Sequence, residues 1–152
     1  MTPSIDDLNH PDMHVRYAAM QGFINAGHEA VEVLCDALVP GQEEIRWRAA
    51  ATLAWIGDVS VILALERASV GAEYELKFNC IWGLGQLADK AAIPALLAIV
   101  QADDTESPDV RYNAAQALVR LGEKAYLEAS LDSENEGTYR VAHAALASAR
   151  WL

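Results

Sequence analysis

The chain has 152 residues, of which 53% are hydrophobic and 22% are charged, and its formal net charge is −11. This composition excludes a disordered chain and allows one ordinary domain with a buried core. The acidic balance argues against nucleic acid as a partner, because proteins that bind nucleic acid carry clustered basic surface. The apolar runs are too short to cross a bilayer, so no membrane partner is expected.

The first residues and the cysteines indicate where the protein resides. The opening stretch, MTPSIDDLNHPD, lacks the basic and apolar regions of a signal peptide. Cys35 and Cys80 stand among aliphatic residues without zinc-ligand spacing, and we interpret them as buried thiols in a reducing compartment. The expected localisation is cytoplasmic.

One module recurs along the chain at intervals of about thirty residues, a period that indicates a helical solenoid. Its copies are Val15-Arg16-Tyr17, Ile45-Arg46-Trp47, Leu76-Lys77-Phe78, Val110-Arg111-Tyr112 and, more degenerate, Tyr139-Arg140-Val141. Each triplet opens an Ala-rich segment with one apolar stripe at helical spacing. In the second copy the stripe is Ile45, Ala49, Leu53 and Ile56.

Shorter outer helices are predicted between these second helices. They cover EAVEVLCDAL, VSVILALERAS, AAIPALLAIVQA and KAYLEASL, with SIDDL as a truncated first one. Gly27, Gly57 and Gly122 fall where a helix C-cap requires positive φ. The fold class is therefore all-α, an α-solenoid of about five helix–turn–helix repeats. We expect a single domain over 1–152, with repeats at approximately 1–27, 28–57, 58–89, 90–122 and 123–152.

The segments DMHVRYAAMQGFINAG and SPDVRYNAAQALVRLGEKA resemble the Asp-x-x-Val-Arg-x-x-Ala-Ala-x-Ala-Leu-x-x-Leu-Gly signature of HEAT repeats. Their short, Ala-rich form is similar to the HEAT-like repeats named after phycobilisome bilin lyases. The resemblance covers nearly the whole chain and implies the fold, not one function. The arginine–aspartate ladder of the family is partial here, with Asp12 in the first copy and Glu43 and Asp109 as possible substitutes.

The resemblance implies that the second helices line the concave side of the solenoid. The stripe that starts with the aromatic residue after the basic one is apolar throughout, so we interpret it as packing between repeats. Its aromatic members are Tyr17, Trp47, Phe78 and Tyr112. A third stripe lies two, five and nine residues after the basic residue. In the first four copies it is rich in Asn, Gln, Arg and Trp and contains no acid. Such a composition is typical of binding hot spots.

We predict that this acid-free stripe binds a partner segment. Trp55 and Trp82 would be buried anchors, Arg48 and Arg120 would bind carboxylates or carbonyls, and the amides would fix the register. The alternative that either Trp covers a groove between helices is equally open. The predicted partner-binding residues are Arg48, Trp55, Asn79, Trp82, Gln86, Asn113, Gln116 and Arg120.

No catalytic residue, metal site or cofactor is expected. Cys80 has no histidine at helical spacing, and WGLGQL follows no strand, so its glycines indicate packing. Pro11 separates His10 from the helix that carries His14. His28-Glu29 resembles the paired His-Glu motifs of deoxyhypusine hydroxylase, a HEAT-repeat di-iron hydroxylase, but that family uses several pairs and this chain has one. We therefore reject that resemblance.

The predicted function is a non-catalytic scaffold or adaptor that binds another protein. The resemblance to bilin-lyase repeats implies an alternative, a subunit or chaperone that handles a phycobilin or phycobiliprotein, with a bilin in the aromatic groove. A third reading is an acidic protein that neutralises a basic partner, such as a nuclease toxin. Trp151 and Leu152 predict weak homo-oligomerisation through the C-terminal helix.

Overall fold

A computed structural model of the protein describes residues 3–102 and 106–149. Throughout these two ranges the regular elements are helical, which confirms the all-α class. The chain divides into two compact units, one ending at Leu87 and the other beginning at Ala88. The single repeat domain over 1–152 stays a prediction. In the described residues, no helix is long and apolar enough to span a bilayer.

The first unit is built around α3. Its α-helices are α1 (Met13–Ala26), α2 (Val31–Asp36), α3 (Glu43–Ile56), α4 (Ile62–Ser69) and α5 (Tyr74–Leu87). The truncated outer helix is a 3-10 turn over Ile5–Asn9, in which Ser4 and Asp7 form a capping box and Leu8 is fully buried. Helix α3 packs against α1, α2 and α5, so its side chains reach most of the unit's core.

The second unit contains α6 (Ile93–Gln101), α7 (Pro108–Arg120), α8 (Lys124–Ala129) and α9 (Glu136–Ser148). Pro108 occupies the first position of α7, where a missing backbone N–H costs nothing. Helix α7 packs on α6 and α9. Trp151 and Leu152, the basis of the predicted self-association, lie outside the described residues.

The second helices bury the faces that their periodicity predicts. Ile45, Ala49 and Leu53 are buried, and Ile56 is half-buried. A Cβ added to Gly83 of α5 would lie 3.1 Å from both Ala54 Cβ and Leu65 Cδ1. This close approach explains the glycine inside the helix, where it costs helix propensity.

The aromatic stripe is largely covered in three copies and not in the first. The rings of Trp47, Phe78 and Tyr112 are half-buried, and Ala54 and Ile81, which continue the stripe, are buried. The burial that the packing interpretation requires is therefore present on α3, α5 and α7. The interpretation is wrong for Tyr17, which is 66% exposed.

The recurring arginine anchors backbone carbonyls that precede its helix. Arg16 Nη1 donates hydrogen bonds to the carbonyls of His10 and Pro11 at 2.7 and 2.9 Å. The aspartate that the family pairs with this arginine, Asp12, accepts instead the His14 backbone N–H at 2.8 Å and caps α1. In the first copy the ladder is therefore replaced by carbonyl contacts.

The second copy uses both kinds of partner. Arg46 Nε donates to the carbonyl of Leu38, just after α2, at 2.9 Å. Arg46 Nη1 lies 2.9 and 2.7 Å from the two carboxylate oxygens of Glu43. Glu43 thus substitutes for the missing aspartate, as the sequence predicts.

The fourth copy buries its arginine. Arg111 is 3% exposed, and its Nη2 donates to the carbonyl of Val100 at 3.0 Å and to Thr138 Oγ1 at 2.9 Å. Val100 lies in the last turn of α6, where carbonyls lack intrahelical partners, and Thr138 lies in α9. One side chain therefore joins three helices of the second unit.

We expect Arg111→Met to lower the free energy of unfolding by about 1–3 kcal/mol, because it leaves the Val100 carbonyl buried without a donor. Urea denaturation followed by circular dichroism measures the change. The control is Arg140→Met, which removes an exposed pair with Glu136 and should cost less than about 0.5 kcal/mol. Equal losses for the two variants would contradict the anchoring role.

The turns after the first four second helices each use a residue with positive φ. Gly27, Gly57 and Gly122 have φ of 60°, 75° and 86°, as the C-cap prediction requires. In the third copy the corresponding residue is Ala88, with φ of 51°. An alanine in this region is strained by its Cβ, whereas glycine is not.

We expect Ala88→Gly to raise the free energy of unfolding by about 0.5–1 kcal/mol, since relief of the strain exceeds the entropy that glycine adds to the unfolded chain. Gly57→Ala is the matched reverse change, and no atom lies within 4 Å of its added Cβ. It should lower stability by a similar amount. Denaturant titration of both variants checks this; shifts of the same sign would refute it.

Candidate functional site

The packing of α3 against α5 brings two predicted site residues together. The ring centroids of Trp55 and Trp82 are 5.4 Å apart, and their planes are tilted by 59°. This arrangement is one that aromatic pairs prefer. Trp82 is half-buried and Trp55 is 63% exposed. Trp82 therefore fills the surface between the two helices, while Trp55 leaves most of its ring open. We call these two residues the tryptophan pair.

Arg48 lies at the other end of α3 and is engaged within the protein. Its Nη1 donates to the carbonyl of Glu44 at 3.1 Å and to Asn9 Oδ1 at 3.2 Å, and lies 3.0 Å from Glu44 Oε2. The guanidinium carbon is 4.4 Å from the centre of the Trp47 ring. Burial lowers the pKa of Arg48 below its ordinary value, although Glu44 opposes the shift. Arg48 thus orders this surface through intramolecular contacts.

The amides on α5 border the tryptophan pair. Asn79 Nδ2 donates to the carbonyl of Glu75 at 2.7 Å, so its position is fixed by its own helix. Gln86 is exposed in the last turn of α5. Asn79, Trp82 and Gln86 follow one another at helical spacing and share a face.

The remaining predicted residues belong to α7 in the second unit. Gln116 Nε2 donates to the Tyr112 hydroxyl at 2.5 Å and to Ser148 Oγ of α9 at 3.3 Å. Arg120 is exposed and Asn113 is half-buried. A cavity of about 250 Å³ is lined by Gln116, Val119, Arg120, Ala145 and Ser148. The structure therefore brings Gln116 and Arg120 into one cavity.

An acidic cavity borders the same face of α3 and α5, and the sequence interpretation missed it. It has a volume of about 380 Å³ and is lined by Glu43, Glu44, Trp47, Glu73, Glu75 and Leu76. Glu44 and Glu75 each stand two residues before the basic residue of their copy, four before the stripe begins. That spacing places them on the stripe's own helical face. The stripe is free of acids only from Arg48 and Asn79 onward.

The surroundings of the two thiols raise their pKa. Cys80 is fully buried, and burial raises its pKa to about 12. Cys35 is half-buried rather than buried, and its pKa is raised by burial and by Asp36 and Asp58. Because the thiolate is the nucleophile, a raised pKa lowers the reactive fraction of both thiols at neutral pH.

His28 has a defined partner in the next repeat. Its Nδ1 lies 2.5 Å from Asp58 Oδ2, and Asp58 also accepts the Ser60 backbone N–H at 2.9 Å. The hydrogen bond from His28 is the main reason that the pKa of Asp58 falls to about 2. In residues 3–102 and 106–149, no three His, Cys, Asp or Glu side chains converge as metal ligands would. The pair is thus a contact between repeats.

Two models of helical-repeat families match this chain. The model of HEAT repeats matches residues 63–149, and that of the PBS lyase HEAT-like repeat matches residues 15–39. The chain belongs to the HEAT-repeat family. Both the fold and the resemblance that the sequence motifs indicated are confirmed.

Curated relatives of this HEAT-repeat chain include deoxyhypusine hydroxylases. The protein from Gallus gallus is 37% identical over 83 residues, which are 55% of this chain and 27% of the relative. The Bos taurus protein is 36% identical over 102 residues, or 66% and 33% of the two chains. This chain thus spans about a third of the relatives' length. The similarity to these hydroxylases covers 83 to 102 residues and is therefore not confined to the His28-Glu29 pair. The expectation that this chain does not resemble them is wrong at the level of the repeats.

Solved structures show the same fold. The structure of human deoxyhypusine hydroxylase in complex with glycerol is 26% identical with a TM-score of 0.68, over 84% of this chain and 46% of that one. The complex of CpcE and CpcF of phycocyanin lyase from Nostoc sp. PCC7120 is 20% identical with a TM-score of 0.66, over 97% and 64%. At 20% identity the lyase structure supports the fold alone.

We expect Asp58→Asn to flatten the dependence of stability on pH between about 4 and 2. In the unfolded wild-type chain, Asp58 is protonated near its ordinary pKa of 3.8. In the folded protein the pKa of Asp58 is about 2, so the carboxylate stays charged to a lower pH. The contribution is therefore present above pH 3.8 and is lost as the pH falls through 2. Asparagine can still cap the turn, but it cannot supply the carboxylate that bonds His28. The variant should therefore be less stable than the wild type above pH 3.8, and the difference should shrink as the pH falls to about 2.

Urea unfolding at a series of acidic pH values measures this effect. Asp89→Asn is the control, since Asp89 caps the corresponding turn of the next repeat by accepting the Ala91 N–H at 2.8 Å. Parallel pH profiles for wild type and Asp58→Asn would count against the His28–Asp58 bond.

Proposed function

We propose that this chain is a HEAT-repeat module that binds a segment of another protein on the face of its second helices, with the tryptophan pair as anchor. The observation that carries the proposal is the 63% exposure of Trp55 beside the partly buried ring of Trp82. A rigid aromatic surface of this kind gives large contact area at low entropic cost and is typical of hot spots. Covering Trp55 would contribute about 3–4 kcal/mol before the costs of association.

The polar groups around the tryptophan pair suit recognition of a peptide backbone. Gln86 is exposed beside Trp82 on α5, and Asn79 is fixed by its bond to Glu75. Amides donate and accept hydrogen bonds, as backbone groups do. Gln116 and Arg120 offer similar chemistry in their own cavity on α7. An adaptor that holds a partner segment uses these groups without catalysis.

A second candidate follows from the match of residues 15–39 to the PBS lyase HEAT-like repeat. In this reading the chain is a subunit or chaperone that handles a phycobilin, whose rings would stack on the tryptophan pair. Titration with free phycocyanobilin tests it. A shifted visible absorption band in the wild type, lost in Trp55→Ala/Trp82→Ala, would favour this candidate over the adaptor.

Deoxyhypusine hydroxylase activity is not proposed for this chain. The single His-Glu pair begins with His28, whose Nδ1 is bonded to Asp58. In the described parts of the chain, residues 3–102 and 106–149, no further acidic or histidine side chains converge beside it. The donor set therefore does not fit the metal centre that the hydroxylase resemblance implies.

The adaptor proposal predicts that peptides selected from a random display library require the tryptophan pair. Selected peptides should bind the wild-type chain and lose at least about tenfold in affinity on Trp55→Ala/Trp82→Ala, since each anchor is a hot-spot residue. Isothermal titration calorimetry measures the affinities, and circular dichroism verifies that the variant is folded.

Leu63→Ala is the matched control, because Leu63 is exposed to the same 63% on α4. It should leave the affinities unchanged. Peptides that bind the double variant as tightly as the wild type would overturn the proposed site.

A further inference from the structure

We infer that the segment bound at the tryptophan pair carries a basic side chain, about three to five residues away from the apolar or aromatic side chain that contacts Trp55. The basic side chain enters the acidic cavity lined by Glu73 and Glu75. This inference rests on the proposed function, and it specifies the chemistry of the partner.

The acidic cavity and the tryptophan pair lie on one face of the first unit. On α5, Glu75, Asn79 and Trp82 are separated by four and then three residues. On α3, Glu44 and Trp55 end a series with the same spacing. Residues at such spacings line up along one side of a helix. A segment lying along α3 and α5 therefore contacts both features.

The separation of the two features sets the spacing in the partner. At 1.5 Å per residue, Glu75 and Trp82 are about 10 Å apart along α5, and Glu44 and Trp55 about 16 Å apart along α3. An extended peptide advances about 3.3 Å per residue. The two contacts are thus about three to five residues apart in an extended segment.

The charges of the cavity select a cation. Arg46 bonds Glu43, and Arg48 lies 3.0 Å from Glu44 Oε2, so these two carboxylates are compensated. Glu73 and Glu75 are exposed, and their carboxylates have no hydrogen-bond or ion-pair partner among the described residues. A purely apolar segment would remove water from these carboxylates without replacing their hydrogen bonds, which costs free energy.

Two further observations agree with a basic partner. The Trp47 ring at the cavity wall already holds the Arg48 guanidinium at 4.4 Å, so the border of the cavity accommodates a cation beside Glu44. The net charge of −11 would also speed the encounter with a positive segment. An anionic segment would be repelled both by the carboxylates of the cavity and by the net negative charge of the chain.

Synthetic peptides test the inference on the full chain. Each probe carries two adjacent lysines and one phenylalanine, separated by one, four or eight Gly/Ser residues; matched probes replace the lysines by serine or glutamate. Calorimetry should show tightest binding for the four-residue spacer, with at least about tenfold loss for the glutamate probe. Binding of the lysine probe should weaken as salt is raised.

The protein variants separate charge at the cavity from net charge. Glu73→Gln/Glu75→Gln should weaken the lysine probe by about three- to tenfold and leave the serine probe unchanged. Glu29→Gln/Glu32→Gln removes the same charge from exposed positions at the start of the outer helix of the second repeat and should change neither.

The outcomes distinguish this inference from the proposed function. Equal affinities for lysine and serine probes, with loss of both on Trp55→Ala/Trp82→Ala, overturn the basic partner and keep the tryptophan site. Unchanged binding of the lysine probe by that double variant overturns the site itself. Absence of saturable binding by every probe also overturns the inferred chemistry.

Discussion

In the first, second and fourth copies the packing depends on the hydrogen bond from the second-helix arginine to a carbonyl that precedes its helix. The last carbonyls of a helix have no partners of their own, and leaving them buried is costly. Arg46 donates a hydrogen bond to the Leu38 carbonyl. Arg111 donates to the Val100 carbonyl and also to the Thr138 hydroxyl. Each bond holds an outer helix against the second helix of its copy. Arg46 and Arg111 therefore stabilise the packing of the repeats.

Once the helix pairs are held, small residues decide how closely neighbouring second helices approach. Gly83 of α5 faces Ala54 of α3, with no room for a Cβ without a shift. This proximity places Trp82 beside Trp55, residues that are distant in sequence. The candidate site is thus a consequence of packing between repeats. The proposed binding rests on its exposed aromatic surface, its amides and its acidic border.

The relation to deoxyhypusine hydroxylases is one of sequence similarity and of a shared repeat fold. The Bos taurus hydroxylase is 36% identical over 102 residues, which are 66% of this chain and 33% of that one. The one His-Glu pair has its histidine bonded to Asp58, within a contact between repeats. A HEAT-repeat sequence can retain the architecture of a relative while its surface carries different groups.

The sequence by itself determined the repeat, the helical class and the backbone of the turns, because these depend on residues close together in the chain. Periodic alanines define a buried face, and Gly57 at positive φ ends its helix. It also determined which residues share the stripe of Trp55 and Trp82. Only the tertiary structure decided that Arg48 is held by Glu44 and Asn9, that Tyr17 is exposed, and that Glu44 and Glu75 line one cavity. Helical periodicity assigns a residue to a face, but exposure and partners depend on what a different helix places opposite that face.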